Sequence, residues 1–354
     1  MKPSLPVLVL RWSFRLLLGG VMVIALVLLA FRWQAQQREV RDPQTSAPAT
    51  GRFVDAAGLH FFVQEAGPMQ GPVVVFIHGT GAWSETWRES MQTAAAAGYR
   101  AIALDVPPFG YSQRPADGDY SRAAQARRIL GVLDALKIDR VVLVGHSFGA
   151  GATMETVFLA PERVRGVVLV DAALALTRDP DADPEGPWAL RAFLAAAPVR
   201  DAVVASLLTN PDYTERLLQK FVHDPQAATP ARVQVYQQPL ALAGSTSAVG
   251  QWLPTLLLPG PPSKSDDADA YRTLRLPVRL IWGDQDDITP LAQGRQIETL
   301  VPGAHLVSLP GIGHIPQIED SPHFRTVLLE QLQAIVPSAP PASEPLPTDA
   351  LLSH

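Results

Sequence analysis

Six short runs in this chain share one signature. Val73–Ile77 is continuously apolar, and Arg100–Leu104, Val141–Val144, Val164–Val170, Val278–Trp282 and His305–Leu309 repeat the pattern with few polar positions. A strand with one wet face alternates in polarity, whereas a run without alternation suits a strand covered on both faces. Helix candidates lie between the runs, at residues 85–97, 121–136, 148–159, 291–300 and 323–335. Strands alternating with helices predict an α/β fold, a mostly parallel sheet with helices on both faces. Ahead of the first buried run, residues 52–55 and 59–64 read as a hairpin turning at Ala57-Gly58. No repeat at a fixed period is visible.

The rhythm breaks once. For about a hundred residues between Val170 and Val278 there is no buried-strand run. Helical pieces at 187–196, 201–208 and 212–222 stand there instead, separated by acidic and Pro-rich loops. A helical insertion between two strands reads as a cap over the sheet.

The amino terminus carries a different signal. Leu16–Phe31 is sixteen residues without a charge, bracketed by Arg15 and Arg32. As a helix it extends about 24 Å, somewhat short of a ~30 Å hydrocarbon core. Snorkelling arginines and Trp33 close the gap. An uncleaved transmembrane anchor over residues 1–33 is expected, with the short tail inside and the large domain outside. The alternative is a cleaved signal and a secreted or periplasmic protein, although no clear small-x-small cleavage site is found. Residues 34–50 read as a polar linker, 51–171 and 276–336 as the core, 172–275 as the cap and 337–354 as a Pro-rich disordered tail.

Composition excludes several classes. The 354 residues contain no Cys, which removes disulfides, thiolate zinc sites, iron–sulfur clusters and cysteine nucleophiles. The net charge is −5, and basic residues gather in the first 42 positions, so the body is more acidic still. Such a body is a poor match to nucleic acid. Asp179 to Gly186 superficially suggests a calcium loop, but Pro184 stands where that loop needs glycine. No zinc-binding or Walker motif occurs, and no metal or organic cofactor is expected.

The chemistry concentrates in a few loops. Gly145-His146-Ser147-Phe148-Gly149 follows a buried strand and opens a helix. A serine on such a turn projects its hydroxyl above the sheet, and the small residues two positions away let strand and helix approach. His146 is read as a structural residue of the turn. After Ile77 comes His78-Gly79-Thr80-Gly81-Ala82-Trp83, a glycine-bearing loop able to present N–H groups. The Thr80 and Phe148 N–H groups would form a two-donor oxyanion hole. The serine needs a base and the base an orienting acid. His314, in Gly311-Ile312-Gly313-His314, follows the last strand. Asp286 lies at the carboxyl end of another strand, where open α/β sheets place functional groups. Asp284, Asp287 and Asp171 are alternatives for the acid. Gly81, Trp83, Phe109, Trp188 and Trp252 are candidates for an apolar substrate pocket.

Together these blocks resemble the capped α/β-hydrolase superfamily. That branch includes carboxylesterases, C–C bond hydrolases, haloperoxidase-like perhydrolases, epoxide hydrolases and haloalkane dehalogenases. The resemblance covers about Gly51 to Ile335. His78-Gly79-Thr80-Gly81 is similar to the family's oxyanion loop. Asp105-Val106-Pro107-Pro108-Phe109-Gly110-Tyr111-Ser112 is similar to its D-x-P-G-x-G-x-S loop, with Pro108 where the pattern has glycine. Gly283, Asp286 and Pro290 match G-x-x-D-x-x-x-P, which selects Asp286 among the acids, and Gly313-His314 with Glu319 and Pro322 matches the terminal histidine block. The resemblance implies a Ser147–His314–Asp286 triad acting through an acyl-enzyme. Serine rather than aspartate at the elbow disfavours the alkyl-enzyme route of the dehalogenase and epoxide hydrolase members. The expectation is a serine hydrolase acting on a carboxylic ester or a related small apolar acyl substrate. A C–C bond hydrolase and a perhydrolase are alternatives, and a non-catalytic ligand sensor on the same fold is the reading from a different class.

Overall fold

The computed structural model describes residues 5–174, 176, 183 and 185–337. Eight strands form one sheet: β1 (Gly51–Ala56), β2 (Leu59–Ala66), β3 (Val73–Ile77), β4 (Arg100–Leu104), β5 (Val141–His146), β6 (Val164–Val170), β7 (Val278–Gly283) and β8 (His305–Leu309). Their order is β1-β2-β4-β3-β5-β6-β7-β8. The β1–β2 hairpin and the β2–β4 pair are antiparallel, and every later pair is parallel. All eight strands coincide with the apolar runs and the hairpin read from the sequence.

The helices are α1 (Leu5–Arg38), α2 (Pro43–Ser46), α3 (Arg88–Ala96), α4 (Arg122–Ala135), α5 (Gly149–Leu159), α6 (Trp188–Ala195), α7 (Ala197–Ser206), α8 (Pro211–Phe221), α9 (Pro230–Gln237), α10 (Ser245–Leu257), α11 (Ala268–Arg272), α12 (Leu291–Leu300), α13 (Pro316–Glu319) and α14 (Ser321–Ile335). Alternation along β5 shows how the layers form. Val141 and Leu143 join a core with Ile129 of α4, Met154 of α5 and Ile297 of α12. Val142 and Val144 join the opposite core with Met91 of α3 and Phe324 and Leu328 of α14. Period-two placement sends neighbouring side chains to opposite faces, so both must be apolar when both faces are covered.

Helices α6 to α11 fall between β6 and β7, where the sequence predicts an insertion. The acidic stretch around 179 and the tail from 338 lie largely outside the described residues. The linker expected at 34–50 differs from the structure. Helix α1 continues to Arg38, because Gln34-Ala35-Gln36-Gln37-Arg38 is made of good helix formers. It then docks rather than hanging free: Ala35 is fully buried, and Arg41 and Leu242 form a parallel bridge. Helix α1 is the one described helix long and apolar enough to cross a membrane.

Candidate active site

Ser147 occupies the turn between β5 and α5 with φ +51°, in the left-handed region. Its carbonyl accepts from Ala150 and Ala173, and its N–H donates to Val170 O at 3.0 Å. Side chains at the flanking glycines would collide with fixed neighbours. A Cβ on Gly145 would lie 2.4 Å from Thr153 Oγ1, and one on Gly149 2.3 Å from His78 O. The second contact shows how closely the loop after β3 approaches the head of α5.

Three distant residues meet at this turn. The Ser147 hydroxyl lies 2.7 Å from His314 Nε2, and His314 Nδ1 lies 2.8 Å from Asp286 Oδ2. All three are buried. Asp286 Oδ1 accepts from the N–H groups of Ile288 and Thr289 at 2.8 and 2.9 Å, and Thr289 Oγ1 lies 2.7 Å from Oδ2. Burial alone would raise the Asp286 pKa. The His314 contact and the Thr289 donors outweigh burial and hold it below the ordinary carboxylate value. With Oδ2 as acceptor, Nδ1 carries the imidazole proton and Nε2 faces the serine as acceptor.

His314 is held by its own backbone. His314 N–H donates to Phe221 O at 2.8 Å, and His314 O accepts from His146 Nε2 at 2.8 Å. Burial, then the nearby His314, depresses the His146 pKa to about 3, so it is neutral and keeps its proton on Nε2. Glu319 accepts from the N–H of Gly313 on one oxygen and of Asp224 on the other, tying the histidine loop to the insertion.

The other acids are placed differently. Asp284 and Asp287 are exposed, and Asp284 accepts from Gly311 N–H. Asp171 is buried, with φ +43°. One of its oxygens accepts from Gly283 N–H at 2.9 Å and the other has no partner among the described residues. Burial, then the charge of Asp286, keeps its pKa well above the usual range.

Opposite the serine, the loop after β3 is pinned through His78. Its Nε2 accepts from Val106 N–H and its Nδ1–H donates to Gly79 O, both at 2.9 Å. The N–H groups of Thr80 and Phe148 have no protein partner among the described residues. The loop after β4 is fixed by Asp105, whose carboxylate accepts from Ser84 and Tyr111 N–H at 2.7 Å each.

A cavity of about 250 Å³ opens at Ser147 and His314. Of the residues expected to line it, Gly81, Phe109 and Trp252 do, together with Thr80. Trp83 and Trp188 do not. Trp83 is buried against Phe62 and Tyr111 and donates Nε1–H to Val235 O, so it is core packing. Trp188 is 76% exposed at the start of α6. The sequence reading missed Arg114, Tyr236 and most of the α10 wall, where Val249, Leu253 and Leu256 join the expected Trp252. Their i, i+3, i+4, i+7 spacing was the available signal.

A family model for the α/β hydrolase fold matches residues 72–321. The chain belongs to that family. As an α/β hydrolase it is a hydrolytic enzyme, and its relatives carry hydrolase names. It is 30% identical over 292 residues to 2-hydroxymuconate semialdehyde hydrolase of Pseudomonas sp. (strain CF600), across 81% of this chain and 94% of that one. A meta-cleavage product hydrolase from Pseudomonas fluorescens shares the fold with a TM-score of 0.61 at 26% identity, over 80% of this chain and 98% of that one. A membrane phospholipase A shares it with a TM-score of 0.64 at 21% identity, and there the match covers 91% of this chain and 98% of that one.

Proposed function

We propose that this α/β hydrolase is a serine esterase that cleaves an apolar acyl ester through an acyl-enzyme formed on Ser147. The observation that carries the reading is the continuous contact Ser147 Oγ, His314 Nε2, His314 Nδ1, Asp286 Oδ2, with both steps under 3 Å. As Oγ attacks the ester carbon, its proton passes to His314 Nε2. The carbonyl π pair moves to oxygen, and the Thr80 and Phe148 N–H groups receive the oxyanion. Collapse expels the alkoxide, which takes the proton from His314 and leaves as the alcohol. Water then attacks the acyl carbon, gives its proton to His314, and the acid departs as the proton returns to Ser147. Asp286 stays ionised and holds the imidazole tautomer throughout.

The helical insertion acts as the cap, and its mostly apolar wall favours an apolar acyl group. Helix α1 serves as an uncleaved membrane anchor, a reading favoured by the docking of its last turns. C–C bond hydrolysis is the second reading, supported by the 30% identical relative. The substrate in that relative's name, a muconate semialdehyde, carries a carboxylate, which a free cation in the pocket would pair. Among the described lining residues the one Lys or Arg is Arg114. Its guanidinium is already engaged by Pro108 O, Ala243 O and Ser245 Oγ. That engagement favours the ester.

The test is labelling with a fluorophosphonate and turnover of p-nitrophenyl esters. The wild type is expected to label and to turn over, and Ser147→Ala to do neither, with kcat down at least about a thousandfold. Equal labelling of the two proteins overturns the serine mechanism. Faster turnover of a vinylogous diketone than of any ester moves the assignment to the C–C reading.

A further inference from the structure

Helix α1 does more than tether the enzyme: its last turns pack behind the residues that wall the cavity. The partly or fully buried residues of its second half are Leu28, Phe31, Arg32, Ala35, Arg38 and Glu39, a stripe at helical spacing. The partner of α1 is α7, which in turn packs on α10. Arg32 lies 3.7 Å from Asp201 of α7. Arg38 Nε–H donates to the carbonyl of Leu240, a cavity residue. Glu39 accepts from Thr246 N–H at 3.2 Å and from its hydroxyl, and Thr246 Oγ1 lies 2.7 Å from Thr209 Oγ1, another cavity residue.

This docking sets the height of the cavity relative to a bilayer. Leu28 and Phe31 belong to the uncharged run that ends at Arg32. At about 1.5 Å per residue, Leu28 sits about 6 Å into the apolar side of the Arg32 level. The helix-docking face of the insertion therefore reaches the lipid boundary. Its exposed side chains agree. Among the described residues, ten large apolar side chains outside α1 are exposed, and six of them fall between Trp188 and Leu257. Two of the six, Leu208 (40% exposed) and Leu256 (47%), also line the cavity. Helices α7 and α10 are antiparallel, Thr209 meeting Thr246 and Asp201 lying against Gly250, so Leu208 sits at the Glu39 level while Leu256, in the last turn of α10, connects the cavity to the apolar surface beside the stalk on the bilayer side of Arg32.

We propose that the substrate is a membrane lipid ester with a long aliphatic acyl chain, which enters the cavity from the bilayer beside the carboxyl end of α10. The occupant of the apolar patch is the bilayer surface itself, because the patch is continuous with a helix whose exposed residues need lipid. The inference rests on the reading of Ser147 as nucleophile and α1 as anchor, and it adds the class of substrate and its route.

The experiment uses the full chain in phosphatidylcholine vesicles. Substrates are 4-methylumbelliferyl oleate dissolved in the vesicles and 4-methylumbelliferyl acetate in the buffer. The variant is Leu257→Glu. This position is the exposed neighbour of Leu256 and does not itself line the cavity. Oleate hydrolysis in the variant is expected to fall at least tenfold, with acetate hydrolysis within twofold of wild type. Equal effects on both esters, or none on either, overturn the route. Loss of acetate turnover in the wild type itself overturns the serine esterase reading instead. A second readout is independent of catalysis. The chain has no Cys, so a nitrobenzoxadiazole label on Leu257→Cys reports one site. It is expected to be quenched by brominated acyl chains, whereas a label on Asp139→Cys, just ahead of β5 at the amino-terminal end of the parallel strands, is not. An unquenched label at 257 overturns the proposal.

Discussion

Asp286 and Asp171 stand at the ends of adjacent strands, and the fold treats them in opposite ways. Asp286 receives two backbone N–H groups and the imidazole, and is held ionised. Asp171 receives one N–H, and burial, then the charge of Asp286, raises its pKa well above the ordinary value. Two substitutions separate their roles. Asp286→Asn is expected to lower kcat by about 10³–10⁴, because the amide cannot stabilise the charged imidazolium. Asp171→Asn is expected to keep most of the activity, measured with the same ester. It also carries a pH signature. A carboxyl with a raised folded pKa stabilises the fold fully below its unfolded value of about 3.9, and loses that contribution as the pH rises through the folded value. Asparagine mimics the neutral form at every pH. The melting temperature of Asp171→Asn should therefore gain on wild type as the buffer goes from pH 4 to pH 8. A constant difference would contradict a neutral buried Asp171.

At the scale of elements, the tight joint between β3, β5 and α5 is the most sensitive. Gly149→Ala places a methyl 2.3 Å from His78 O and 3.0 Å from Ile77 Cγ2, so backbone must move. The expected cost is about 1–3 kcal/mol in urea denaturation, with a larger loss in kcat than in KM. These elements were readable from the sequence for a physical reason. Strands covered on both faces cannot alternate, so Val141–Val144 and Val164–Val170 announce themselves without any partner. The candidate site residues follow in part: Ser147, Asp286 and His314 each lie past a strand's carboxyl end, but position alone left four acids open and only the resemblance to G-x-x-D-x-x-x-P selects Asp286. The insertion was less readable. Helix α9 packs onto α8 and the loop after β8 in a small patch, Val233 and Tyr236 with Leu218 and Ile315, so no long stripe marks it. Trp83 and Trp188 misled for a related reason. An aromatic residue signals burial or a surface equally well, and only its neighbours say which. The 34–50 segment misled because glutamines read as linker while remaining good helix formers.

At the scale of the whole molecule, the stalk and the body are one folded object. A chain beginning at Gln34 keeps Ala35, Arg38 and Glu39 on the insertion, whereas one beginning at Asp42 leaves Thr246 N–H and Leu240 O without those partners. Losing about 1–2 kcal/mol of hydrogen bonding should lower the melting temperature of the shorter chain by about 2–6 °C relative to the longer one. Identical melting curves would show the docking to be energetically idle. The order of the chain has a further consequence. The strand carrying Ser147 is complete early, yet β6 must wait for β7 across the entire insertion, Val167 pairing with Val278. Asp286 follows β7 and His314 follows β8. The proposed nucleophile therefore meets neither of its partners until both of those strands have been made, and a polypeptide that stops short of His314 is expected to be chemically silent.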